Sequence, residues 1–188
     1  MLNTLTSLPN VLTLMRIVLI PVFIGVFYLP VPSAHIIAAV IFAYACFTDW
    51  LDGYLARKLK QMSPFGAFLD PVADKLLVSS TLLLLVGTNE VPYMVLPAIV
   101  IVGREIVISA LREWMAEVGS RASVAVGYIG KIKTAMQMIS LILLLAFHPT
   151  TSIWGVIGFI LLYLAAILTI WSMVIYLMIA WPQLIKKT

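Results

Sequence analysis

From residue 152 to residue 180 the chain carries no charged side chain. That run is longer than the roughly 20 residues an α-helix needs to cross a bilayer. In hydrocarbon every backbone N–H and C=O must be bonded within the protein, so such a stretch is required to be helical. Comparable apolar runs recur along the sequence, separated by turn or charge signals. They predict six helices, at about 11–29, 34–59, 66–87, 92–117, 124–147 and 152–180. With 63% hydrophobic and 11% charged residues, the composition excludes an ordinary water-soluble domain. Its mean hydropathy of +1.11 points the same way. Six spans use up most of 188 residues, so the expectation is one polytopic all-α membrane domain over 1–188.

Charge placement predicts the orientation. The connections at 30–33, 87–91 and 148–151 contain no Lys or Arg, whereas Arg57, Lys58, Lys60, Arg121, Lys186 and Lys187 lie at the opposite ends of the spans. The positive-inside rule then places both termini and the two basic loops in the cytoplasm, as an even number of spans requires. The opening "MLNTLTSLPN" is mildly amphipathic and reads as a short interfacial helix that Pro9 and Asn10 turn into the membrane. The first span is too long and too closely followed by others for a cleaved signal peptide, so it is expected to be retained. Trp181, Pro182, Lys186 and Lys187 read as an aromatic anchor and a basic tail. The single Cys46, among apolar neighbours, excludes an internal disulfide and reads as a packing residue.

Against this apolar background, "TDWLDGYLARKLKQMSPFGAFLDPVADK" at 48–75 holds four aspartates. A carboxylate inside a span costs on the order of 2.5–3.5 kcal/mol on insertion scales, so all four need compensation. Asp49 and Asp52 are spaced i, i+3 and Asp70 and Asp74 i, i+4, so each pair shares one helix face. The short loop between them predicts adjacent antiparallel helices and one four-carboxylate cluster. Four ionised acids would repel one another without cations, and two divalent ions would match their charge. Oxygen ligands without a nearby Cys or His suit Mg²⁺ or Mn²⁺ rather than zinc. The plainer alternative pairs single aspartates with Arg57, Lys58 or Lys75 and makes Asp70 a helix cap. It leaves unexplained the doubled spacing and the small residues Gly53, Ala56, Gly66 and Ala67, which allow helix packing or close approach of a phosphate-bearing ligand.

Written out, the segment is Asp49-x2-Asp52-Gly53-x2-Ala56-Arg57-x8-Gly66-x3-Asp70-x3-Asp74, which resembles the signature of the CDP-alcohol phosphotransferases at every fixed position. The stretches "PNVLTLMRIVLIP", "FLDPVADK", "GREIVISALREWMAEVG" and "GKIKTAMQM" look most like the bacterial members that use glycerol 3-phosphate as acceptor. The resemblance implies phosphatidyl transfer from CDP-diacylglycerol to an alcohol with release of CMP, in the bacterial inner membrane with the site facing the cytoplasm, and a homodimer. It implies Asp49, Asp52, Asp70 and Asp74 as metal ligands, with Asp74 also the general base. Gly53, Ala56 and Arg57 would receive the CDP moiety.

Asn10, Thr13 and Arg16 form a polar i, i+3, i+6 stripe, which reads either as nucleotide contacts or as a cap and an anchor. An acceptor carrying a phosphate needs cations, and Arg104, Arg112, Lys131 and Lys133 are the candidates. Arg104 and Arg112 lie about two helical turns apart, and Arg104 at depth needs either a partner such as Glu105 or a wet cavity. Gly155 and Gly158 suit helix packing, between copies or within one. Two other readings stay open: a family member with a different acceptor, and a divalent-cation transporter using the acids as its binding site.

Overall fold

The computed structural model describes residues 8–59, 64–88, 93–117 and 128–185. Over these the regular structure is all helical: α1 Leu8–Phe27, α2 Ala34–Leu59, α3 Pro64–Gly87, α4 Val95–Glu117, α5 Tyr128–Ala146 and α6 Ile153–Ile185. Three of them contain stretches long and apolar enough to cross a membrane: Asn10–Phe27, Ala34–Tyr54 and Ile153–Trp181. In α3 and α4 charged residues interrupt the apolar run, and α5 offers only the shorter Ile132–Ala146.

The predicted boundaries hold within a few residues, and the departures have local causes. Pro64 starts α3 in the first helical position, where its missing N–H is no loss. Helix α4 starts at Val95 because Tyr93 takes a left-handed backbone, φ 61°, and its carbonyl accepts a hydrogen bond from the Tyr163 hydroxyl at 2.9 Å. Helix α6 runs on to Ile185. Leu8, Pro9 and Asn10 are already helical, so they do not turn the chain as expected. The rest of the interfacial segment, Arg121 and the basic pair Lys186 and Lys187 lie outside the described residues.

The core is built from aromatic and aliphatic side chains of every helix, among them Phe23, Phe42, Leu82, Ile101, Leu141 and Leu162. Outside, Val18, Val40, Leu83, Ile99 and Trp171 stand exposed, while Thr13, Arg16, Asp52 and Lys133 are buried. Large apolar side chains on the outside, with a few polar groups buried in an apolar core, fit lipid as the solvent.

One packing expectation is corrected. Helices α2 and α3 barely touch; α1 lies against both, α5 packs on α2 and α6, and α6 on α4. Gly155 and Gly158 are spent inside the protomer. A Cβ on Gly155 would lie 2.5 Å from the His148 backbone, and one on Gly158 would lie 2.9 Å from Leu143 Cβ. Ser140 Oγ also donates to the Gly158 carbonyl at 2.9 Å.

Candidate active site

Because α1 stands between α2 and α3, the four aspartates meet across it. Thr13 Oγ1 donates to Asp70 Oδ1 at 2.7 Å and lies 3.4 Å from Asp52 Oδ2. One turn on, the Arg16 guanidinium is 0% exposed. Its Nη1 contacts Asp49 Oδ1 at 2.8 Å and Asp74 Oδ1 at 2.9 Å, and its Nη2 pairs with Asp52 Oδ2. Each carboxylate therefore touches α1. Asp52 is almost fully covered, at 4%, whereas Asp49 and Asp74 keep 40% and 41% of their side chains accessible. The site has a closed floor and an open rim.

The four aspartates are drawn together through Thr13 and Arg16. Among the described residues no three acidic, histidine or cysteine side chains close on one point suited to an ion. The guanidinium sits among Asp49, Asp52 and Asp74. The donor set still fits a hard divalent cation: four carboxylates, one neutralising arginine, and no thiolate or imidazole in contact with them among the described residues. Arg16 Nε is buried without a partner, which marks a polar centre not fully satisfied by the protein alone. Beside it, a Cβ on Gly53 would meet no atom within 4 Å, so protein packing does not require glycine there.

A cavity of about 510 Å³ adjoins this cluster between α3, α4, α5 and α6, and Asp74 lines it. So do Arg104, Arg112 and Lys133, three of the four predicted cations. Lys133 is 4% exposed and stands 3.8 Å from Glu105 Oε1, which also pairs with Arg104. Arg104 Nε is buried and unpartnered, and the Arg112 guanidinium lies 5.7 Å from the centre of the Tyr176 ring. Lys75 Nζ, weighed in the sequence only as a partner for the aspartates, donates to Ser109 Oγ and has no acidic partner among the described residues.

A family model for the CDP-alcohol phosphatidyltransferases matches residues 6–171. The chain belongs to that family. A Pseudomonas fluorescens protein named CDP-diacylglycerol–glycerol-3-phosphate 3-phosphatidyltransferase is 52% identical over 179 residues, 95% of this chain and 92% of its own length. Bearers of the same name from Yersinia enterocolitica and Haemophilus influenzae are 52% and 51% identical, each over 96% of this chain. They are covered over 98% and 97% of their own lengths, respectively.

Within this CDP-alcohol phosphatidyltransferase frame the structure gathers Thr13, Asp49, Asp52, Asp70 and Asp74 at one end of the helix bundle, with Arg104, Arg112 and Lys133 in the adjoining cavity. Asn10 is buried on the same face of α1 as Thr13 and Arg16. Helical backbone carries Ala56, Arg57 and Lys131, but their side chains lie outside the described residues. Sequence reasoning missed Gln137 and Ser172 on the cavity wall. A signal for Gln137 existed: Lys133, Gln137 and Ser140 recur at i, i+4, i+7 as a polar, buried stripe on an apolar helix.

Proposed function

We propose that this chain transfers the phosphatidyl group of CDP-diacylglycerol to glycerol 3-phosphate, giving phosphatidylglycerol phosphate and CMP. The observation that carries the reading is the position of Asp74, which belongs to the acidic cluster and also lines the basic cavity. A donor held at the cluster and an acceptor held in the cavity would meet at that carboxylate. The bacterial relatives named above for this reaction support it, as does their near full-length match.

Charge selects the acceptor class. Lys75, Arg104, Arg112 and Lys133 line the cavity against Asp74 and Glu105, four cations to two carboxylates. The excess of two positive charges matches a phosphomonoester, which carries about −1.5 to −2 at neutral pH. A neutral polyol would leave that excess of positive charge without a counter-charge.

Asp49, Asp52, Asp70 and Asp74 would hold two Mg²⁺ or Mn²⁺ ions, which supply charge neutralisation at the pyrophosphate and at the leaving CMP. The rest of the reaction is the chain's own work. Asp74 takes the proton of the acceptor's primary hydroxyl as its oxygen bonds to the phosphorus bearing the lipid. The bond from that phosphorus to the CMP oxygen breaks, and CMP leaves with the electron pair. Gly53 and Ala56 leave room for the cytidine and pyrophosphate at α2, Arg57 pairs with the pyrophosphate, and Asn10 and Thr13 border the nucleotide. Arg104, Arg112, Lys131 and Lys133 hold the acceptor phosphate.

The same reading places six helices across the bacterial inner membrane, with both termini and the active site on the cytoplasmic side, as one domain over 1–188. It includes a homodimer on family grounds, with an interface that does not use Gly155 or Gly158. The test is CMP release by purified protein with CDP-diacylglycerol and Mg²⁺, comparing glycerol 3-phosphate with glycerol, inositol phosphate and phosphatidylglycerol. Release with glycerol 3-phosphate, cut about 100- to 10,000-fold in Asp74→Asn, is expected. Preference for another acceptor would change the reaction assigned; no release with any acceptor, with Mn²⁺ flux into proteoliposomes, would replace the enzyme by a transporter.

A further inference from the structure

The cavity contains one acid for which the transfer above has no use. Glu105 on α4 accepts from Arg104 Nη1 and faces Lys133 Nζ at 3.8 Å, both through Oε1; its Oε2 has no hydrogen-bond partner among the described residues. The side chain is 29% exposed and lines the cavity. A carboxylate there opposes the phosphate that the neighbouring cations attract, so it weakens acceptor binding unless it makes a contact of its own.

The chemistry of that contact is narrow. A carboxylate held between two cations, as Glu105 is between Arg104 and Lys133, accepts hydrogen bonds and donates none. It therefore suits a hydroxyl and suits neither a phosphate oxygen nor an apolar carbon. Three of the other hydroxyl-bearing groups nearby are committed as donors: Ser109 to the Glu105 carbonyl at 2.6 Å, Thr134 to the Gly130 carbonyl at 2.9 Å, and Ser172 to the Thr169 carbonyl at 2.9 Å. Only their weaker lone pairs remain.

Glycerol 3-phosphate brings two hydroxyls. The reading above, on which this inference rests, sends the primary one to Asp74 and the phosphate to the cations. We propose that Glu105 binds the secondary hydroxyl and makes the site specific for phosphorylated acceptors with a hydroxyl next to the attacking carbon. The acid is retained because it reads the acceptor, at some cost in phosphate affinity.

The experiment compares kcat/KM for glycerol 3-phosphate and 3-hydroxypropyl phosphate, which has the same phosphate and primary hydroxyl but lacks the secondary one. A hydrogen bond to a charged group predicts that the native enzyme prefers glycerol 3-phosphate by about ten- to a hundredfold. Glu105→Ala should erase that preference by lowering activity on glycerol 3-phosphate alone, and Glu105→Gln, which keeps one acceptor oxygen, should retain part of it. Equal use of both acceptors by the native enzyme overturns the proposal whether or not the variants fold. So does an equal loss on both acceptors in Glu105→Ala, the mark of a residue that only positions Arg104 and Lys133. Use of neither acceptor, with turnover of inositol phosphate, would instead refute the glycerol 3-phosphate reading and remove the Glu105 assignment with it.

Discussion

Replacing Arg16 by methionine removes the one described cation among four carboxylates and fills most of the space it leaves. The cost is unequal across its partners. Asp49 and Asp74, each about 40% accessible, can recover hydration, whereas Asp52, at 4%, cannot. Breaking a buried pair by removing one partner costs about 3–5 kcal/mol. We assign most of that to Asp52. For a chain of this size it corresponds to a fall in unfolding temperature on the order of 10 °C. The assay is thermal unfolding in detergent, in EDTA and then in Mg²⁺. In EDTA Arg16→Met should unfold far below the native protein, and Mg²⁺ should raise the variant more than the native chain, because a divalent ion replaces the lost positive charge. Arg16→Lys should recover only part, since one ammonium cannot span the carboxylates that the guanidinium fork reaches. An unchanged unfolding temperature in EDTA, or an equal Mg²⁺ response in both proteins, would refute this account of what holds the cluster.

Two further substitutions separate stability from function. Gly53→Ala meets no atom within 4 Å and improves helix propensity by about 0.5–1 kcal/mol. Its unfolding temperature should hold or rise while KM for CDP-diacylglycerol increases; a normal KM would remove Gly53 from the donor site. Gly155→Ala drives a Cβ to within 2.5 Å of the His148 carbonyl and should destabilise by about 1–3 kcal/mol, read as a lowered unfolding temperature. An unaltered unfolding temperature there would mean that the α5–α6 turn can shift away.

The legible part of the structure was what short-range physics controls. Apolar run length gave six helices, and the i, i+3 and i, i+4 spacings put Asp49 with Asp52 and Asp70 with Asp74. Arg104, Arg112 and Lys133 were read as candidate cations for an acceptor phosphate, and they share a cavity. The position of Arg16 was not legible, because its periodicity on α1 says which face is polar but not which helices that face meets. Chain order suggests α2 against α3; tertiary packing puts α1 between them. Lys75 was weighed only as a partner for the nearby aspartates, whereas its ammonium goes across to Ser109 on α4. Glycine spacing could not say whether Gly155 and Gly158 face a second copy or α5, since both require the same small residue.

The placement of α1 between α2 and α3 also bears on how the chain enters a membrane. Synthesis delivers α1 first, so Arg16 is in place before the ribosome has made any of the four acids. Asp49 and Asp52 arrive with α2, and Asp70 and Asp74 with α3, each onto a helix that already carries an opposite charge. Against the insertion cost of about 2.5–3.5 kcal/mol per lone aspartate, that order matters. A circular permutant that moved α1 to the C-terminus would keep every contact of the finished protein. On the six-span reading proposed above it would nevertheless ask α2 and α3 to partition into lipid without Arg16 beside their aspartates, so the sequence order of this fold would be part of its assembly chemistry.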